Sequence, residues 1–178
     1  TEQGIYDFFD KTFYAYQYDP RAIKGVITKI LRFLYEEEMI EVSGENVYAT
    51  KFGRRISELY IDPVSAVIIR DALLSRAPRL TDISFLHMIA HTPDMFPKLR
   101  PYSGEIDNLA LFVDEHREEF MLEVPDEWAD RIAYEEFLGE TKLAQVLNAW
   151  IEETTEDETI EKFRVQPGDL YRLITTAK

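Results

Sequence analysis

The sequence predicts a mainly α protein: a winged helix (helices plus a β-hairpin) followed by an all-helical domain. Three observations carry this. An amphipathic pattern of helical period runs through residues 20–34 and then changes to strand–turn–strand at 39–50. Asp-Pro pairs at Asp19-Pro20 and Asp62-Pro63 each offer an N-cap followed by proline at the first helical position. Beyond Asp62 every apolar stripe has helical spacing.

Taken in order, Ile5, Phe8, Phe9, Phe13 and Tyr16 fall near helical spacing. After Asp19-Pro20 a helix is expected to bury Ile23, Val26, Ile27, Ile30, Leu31 and Leu34, ending in Glu36, Glu37 and Glu38. MIEVSGENVYAT then reads as a hairpin, with Ile40 and Val42 on one strand and Val47 and Ala49 on the other. Gly44 and Asn46 tolerate the positive φ of a tight turn. Thr50 caps a short helix with Phe52, Ile56 and Leu59, and Asp62-Pro63 opens one with Val64, Val67, Ile68 and Leu74. Thr81-Asp82 opens a helix through Ile83, Leu86 and Ile89, which Thr92-Pro93 closes. A helix from Ser103 is expected to carry Ile106, Leu109, Phe112, Val113 and Phe120; another starts at Pro125 and is followed by Gly139. Leu143, Val146, Leu147 and Trp150 form the next stripe, and Thr155 with Glu158 makes a capping box before Ile160 and Phe163. Pro167 and Asp169 start the last helix, with Leu170, Leu173, Ile174 and Ala177 on one face. The expected division is residues 1–60 and 61–178, packed together because no flexible linker joins them.

Composition narrows the function. The chain has 178 residues and a net charge of −14. Residues 1–100 carry 13 basic and 14 acidic side chains, against 7 and 20 in residues 101–178, so the acidic excess lies in the second stretch. A polyanion can meet the first stretch, or a local basic groove, without facing the whole charge. There are no cysteines, which fits a reducing, cytoplasmic setting and excludes thiolate metal sites. No apolar run approaches membrane-span length.

Several chemistries lack their residues. None of the seven glycines precedes Lys-Ser or Lys-Thr, so there is no phosphate-cradling GxxxxGK[ST] loop, and ATP hydrolysis by this chain alone is not expected. Asp114-Glu115-His116 has the wrong spacing for a DExH box. His87 and His91 are four apart, but Met88 stands where a zinc protease motif needs Glu, so one packed and one surface histidine is the expectation. Glu118-Glu119 and Glu135-Glu136 are sequence neighbours and diverge around a helix, which makes them solvated faces rather than acid–base pairs. No catalytic residue, cofactor site or metal site is assigned.

Binding has better candidates. Lys24, Lys29 and Arg32 lie on the helix before the hairpin, where a winged helix places its groove-reading helix, and Lys51, Arg54 and Arg55 follow the hairpin. Arg172, beside Tyr171, sits next to an apolar stripe on a helix that starts with a tight turn. A guanidinium is flat and can stack on a base while its charge stays near phosphate. A surface arginine paired with an acidic neighbour is the plainer alternative.

The stretches DFFDKTFYAYQ (7–17), ATKFGRRISELYIDPVSA (49–66), FLHMIAHTPDM (85–95), TKLAQVLNAWIEE (141–153) and QPGDLYRLITTA (166–177) together resemble the archaeal superfamily-2 DNA helicases of the Hjm/HelQ type, which are Ski2-like. The resemblance implies a piece of a larger motor in which two RecA-like domains bind ATP and magnesium. A winged helix then precedes a helical domain that closes a ring around the unwound strand. A long ratchet helix there stacks an arginine and, seven residues on, a tryptophan against bases. The turn at Pro167-Gly168-Asp169-Leu170 puts that arginine on Arg172, while the tryptophan would fall one position beyond Lys178. The family's winged helix also has a helix before the one near Ile5. The expectation is therefore an excerpt cut inside a domain at each end, nucleoid-associated in its parent and partnered by single-stranded or forked DNA and the RecA-like domains. The alternative is a free-standing winged-helix regulator or protein-interaction domain, which would bind duplex DNA alone.

Overall fold

Residues 1–75 and 79–178 are described by a computed structural model, which divides into two compact units, Thr1–Pro63 and Val64–Lys178. The architecture is mainly helical with one small antiparallel hairpin, as the sequence predicts.

In the first unit the aromatic-rich start is two helices, α1 (Glu2–Phe9) and α2 (Phe13–Gln17). Thr1 caps α1 by accepting from the Gly4 amide, and the Thr12 hydroxyl donates to the Phe9 carbonyl at the break between them. Helix α3 (Pro20–Glu36) begins where Asp19 accepts from the Arg21 amide. Its buried stripe is narrower than expected. Ile23 and Ile27, four apart, pack with Tyr6, Ile5, Phe9 and Leu31, whereas Val26 and Ile30 stay exposed on the flank. The cluster is closed by Ile5, Tyr6, Phe9 and Ala15, so one row of α3 is covered and the neighbouring row is left open.

Strands β1 (Ile40–Ser43) and β2 (Asn46–Ala49) pair with Ser43 opposite Asn46, so the turn is Gly44-Glu45. Gly44 supplies the positive φ (60°), as the first central position of a two-residue hairpin turn requires; Asn46 is in the strand instead. Thr50 ends the hairpin and starts α4 (Lys51–Leu59): its hydroxyl donates to the Glu38 carbonyl at 2.7 Å and accepts from the Gly53 amide at 3.1 Å. A Cβ at Gly53 would lie 1.9 Å from the Met39 carbonyl oxygen, which explains a glycine inside α4.

The second unit is built around α8 (Arg131–Ile151), flanked by α6 (Asp82–His91), α7 (Ile106–Glu115), α9 (Glu156–Phe163) and α10 (Pro167–Ala177), while Ala72 of α5 (Pro63–Leu74) packs on Met88 of α6. Single 3-10 turns lie at Pro93–Met95 and Arg117–Glu119. One core joins Leu86, Leu143, Leu147, Phe163, Leu170 and Leu173; another joins Leu109, Val113, Phe120, Phe137 and Leu138. The Thr155–Glu158 capping box and the apolar face of α10 are present as expected.

Four expectations change here. On α5 the buried positions are Ser65, Ala66 and Ala72, while Val64 and Leu74 are exposed. Helix α7 begins at Ile106, after the Glu105 carboxylate has accepted from the Tyr102 amide, and stops before Phe120. No helix starts at Pro125; residues 125–130 form a turn, and Asp130 caps α8 by accepting from the Ala133 amide. Gly139 ends nothing: α8 runs straight through it. A Cβ there would stand 2.2 Å from the Leu99 carbonyl oxygen, so the glycine admits a loop backbone against the helix rather than terminating it. Among the described residues no helix is long and apolar enough to cross a membrane.

Candidate nucleic-acid interface

Gln166, Pro167 and Gly168 turn the chain into α10 with no side-chain cap, and proline at the first position loses no helical hydrogen bond. Leu170, Leu173 and Ile174 point into the core and set the rotation of the helix. Tyr171 is thereby left 76% exposed, and Arg172 stands half-buried at the edge of the apolar stripe.

The Arg172 guanidinium is engaged. It donates to the Phe96 carbonyl at 3.2 Å and to the Pro97 carbonyl at 2.7 Å, with Asp169 3.9 Å from its Nε. All three contacts use the edge of the group, where its N–H bonds point. Of the side chain, 31% remains accessible. These contacts fix the position of the guanidinium in advance.

Those carbonyls belong to the loop 96–102, which is held from several sides. Lys98 donates from Nζ to the His91 carbonyl at 2.7 Å and to the Glu140 carboxylate. Glu140, 3% exposed in the middle of α8, also meets His91 Nδ1 at 2.8 Å. Burial alone would raise the Glu140 pKa, but the hydrogen bonds and positive charge of His91 and Lys98 outweigh it and hold the carboxyl below its ordinary value. Leu99 rests its carbonyl on Gly139, and the Tyr102 hydroxyl reaches the Arg164 carbonyl at 3.5 Å. Lys142, 3% exposed, donates to both Glu105 carboxylate oxygens at 2.9 and 3.1 Å and lies over the Tyr102 ring.

His87 is buried edge-on to Phe120 and tilted on Phe137, and burial pushes its pKa down to about 4. The ring is therefore neutral at pH 7. Between pH 6.5 and 4 the unfolded chain binds a proton at this position that the folded chain does not, so stability falls on acidification. Glu140 acts in the same direction at the lower end, because a depressed carboxylate stabilises above its unfolded pKa and loses that contribution as it protonates. Urea unfolding followed from pH 7 to pH 4 is expected to show a loss of about 3 kcal/mol from His87. His87→Phe flattens that slope; an unchanged slope contradicts the assignment.

The first-unit candidates are dispersed. Lys24 lies over the Tyr6 ring, Arg32 pairs with Glu36 at 2.8 Å, and Lys29 is exposed on the same helix. Lys51, Arg54 and Arg55 line a shallow 530 Å³ cavity, but Glu41 and Glu58 line it too, and Arg55 meets Glu58 at 3.3 Å. The structure thus brings Lys51, Arg54 and Arg55 together among carboxylates. Sequence reasoning placed a loop before Ser103, with Pro97 and Pro101 in it, but gave no role to that loop, to exposed Phe96, or to Arg100 and Arg164. The one available signal was Arg164 directly before the Val-Gln-Pro-Gly turn.

A family model described as archaeal helicase, domain 4, matches residues 83–178. Curated relatives include the ATP-dependent DNA helicases Hel308 of Pyrococcus horikoshii, 40% identical over 98% of this chain, and of Pyrococcus abyssi, 39% identical over 98%. A third, from Methanocella arvoryzae, is 36% identical over 99%. The chain spans 24% of the length of each of these relatives. It belongs to the archaeal Hel308-type, Ski2-like helicase family, and residues 83–178 are its domain 4 segment.

Proposed function

We propose that this chain is the winged-helix and partial ratchet region of an ATP-dependent DNA helicase, and that Arg172 grips single-stranded DNA while the parent protein unwinds duplex. The reading is carried by the state of the Arg172 guanidinium: the Phe96 and Pro97 carbonyls hold it in place, and 31% of the side chain is accessible. A plane held in this way stacks on a passing base without choosing among bases, because every base offers a π-face. The relatives are named ATP-dependent DNA helicases, and in this reading the ATP and magnesium chemistry belongs to RecA-like domains of the parent. The first unit offers those domains a docking face, since Phe8, Phe13, Tyr16, Val26 and Ile30 are exposed there. In this reading the winged helix braces the motor, and its lysines and arginines contribute phosphate contacts of lesser weight.

The test is unwinding by the intact parent carrying Arg172→Ala or Arg172→Lys. Stacking of about 1–3 kcal/mol per base predicts a loss of roughly fivefold to a hundredfold in strand affinity for alanine. Lysine retains the charge but not the plane, so it is expected to rescue less than half of that loss on a logarithmic scale. Unwinding and strand affinity unchanged in both variants overturn the proposal. Tighter binding of duplex than of single strands by the 178-residue chain would favour the free-standing regulator instead.

A further inference from the structure

We propose that Arg100, Arg164 and the first turn of α10 form a seat for one backbone phosphate of the strand. This deepens the reading of Arg172 and rests on it. The place is a 260 Å³ cavity beside the loop 96–102, smaller than the roughly 300 Å³ at which small-molecule pockets begin. It suits a phosphate group rather than a whole nucleoside.

The argument is one of charge. Residues 64–178 carry 12 basic and 23 acidic side chains, yet Lys98, Arg100, Lys142 and Arg164 all line this cavity. Lys98 is neutralised by Glu140 and Lys142 by Glu105, both mostly buried. Asp169, the carboxylate that lines the cavity, is the one 3.9 Å from Arg172. Among the described residues Arg100 and Arg164 have no carboxylate within ion-pair distance, and both are exposed. Two arginines without an ion-pair partner therefore line one cavity of a unit whose net charge repels anions. Gln166 and Asp169, from the start of α10, complete the lining, so the positive end of an uncapped helix adds to the same field.

A guanidinium binds phosphate through two parallel N–H bonds, and two of them supplied by separate segments can hold one phosphate between them. The loop that carries Arg100 is the one tethered by Arg172, so the base-stacking plane and the phosphate seat are parts of one rigid piece. A strand lying there would place a base against Arg172 and a neighbouring phosphate between Arg100 and Arg164.

Fluorescence anisotropy of the 178-residue chain, titrated with oligothymidine and with an abasic strand of equal length across a salt series, tests this. The variants are Arg100→Gln with Arg164→Gly, Arg100→Lys with Arg164→Lys, and Arg172→Ala. Glycine suits the left-handed backbone of Arg164 (φ 50°), and a thermal melt confirms that the variant folds. For Arg100→Gln with Arg164→Gly, affinity for both strands is expected to fall about tenfold. The slope of log affinity against log salt is expected to flatten by about 0.7, the change for the one phosphate contact removed. The double lysine variant retains the slope. Arg172→Ala weakens oligothymidine and spares the abasic strand. An unchanged slope in the Arg100→Gln, Arg164→Gly chain overturns the seat while leaving the Arg172 reading standing. Equal loss of both strands in Arg172→Ala overturns the stacking reading alone, and no binding of either strand by the unsubstituted chain overturns both. Line broadening of inorganic phosphate by a chain that ignores the abasic strand also overturns the seat, by making the anion a free phosphate.

Discussion

Replacing Glu140 with alanine is expected to destabilise the second unit by about 3 kcal/mol. Breaking a buried ion pair by removing one partner leaves the other charge uncompensated, and such losses run at about 3–5 kcal/mol. The lower end applies because Lys98 is 27% exposed and keeps the His91 carbonyl as an acceptor. His91, by contrast, loses the only side-chain acceptor that meets its Nδ1 among the described residues. Glu140→Gln keeps the shape and part of the hydrogen bonding, so its loss should be nearer 1–2 kcal/mol. Urea unfolding gives both values, and hydrogen exchange reads the local consequence: amides of the loop 96–102 should lose protection before those of α8. A Glu140→Ala chain within 1 kcal/mol of the unsubstituted protein would mean that the carboxylate does not anchor this loop.

Gly139→Ala is expected to destabilise by about 2 kcal/mol although alanine is the better helix former. In an ordinary helix interior the change gains roughly 1 kcal/mol. Here the new Cβ would stand 2.2 Å from the Leu99 carbonyl oxygen, and the obstacle is backbone. Relief requires the loop to move by about 1 Å, which strains the contacts of Lys98 on one side and of Arg172 on the other. Overpacking of this kind costs about 1–3 kcal/mol and here exceeds the propensity gain. The expected fall in melting temperature is about 5–8 °C. A rise in melting temperature would show that the loop yields freely. In the functional assays Gly139→Ala should weaken strand binding through the loop, because it displaces the carbonyls that orient Arg172.

The two substitutions mark the boundary between what sequence can and cannot disclose. Caps were legible because they are local: Asp19-Pro20, Thr50, and Thr155 with Glu158 act within four residues. The apolar faces of α3 and α10 were legible in period, though on α3 the buried width was not, since Val26 and Ile30 obey the same spacing as Ile23 and Ile27. Gly139 was misread for a physical reason. A glycine at a helix end and a glycine under a crossing backbone look alike until Leu99 is seen to lie on it. Nothing in the sequence marked Glu140 and Lys142 as buried, though each is 3% exposed, because their partners Lys98 and Glu105 are 42 and 37 residues away.

The sequence by itself determined the helical architecture, the hairpin, the start of α10 and the candidacy of Arg172, all of which follow from spacing, capping chemistry and motif order. Tertiary structure alone decided which edge of Arg172 is occupied, which glycine carries a loop, and that Arg100 and Arg164 line the same cavity. Those features depend on segments dozens of residues apart, and contact between distant segments leaves no period in a chain for a reader to find.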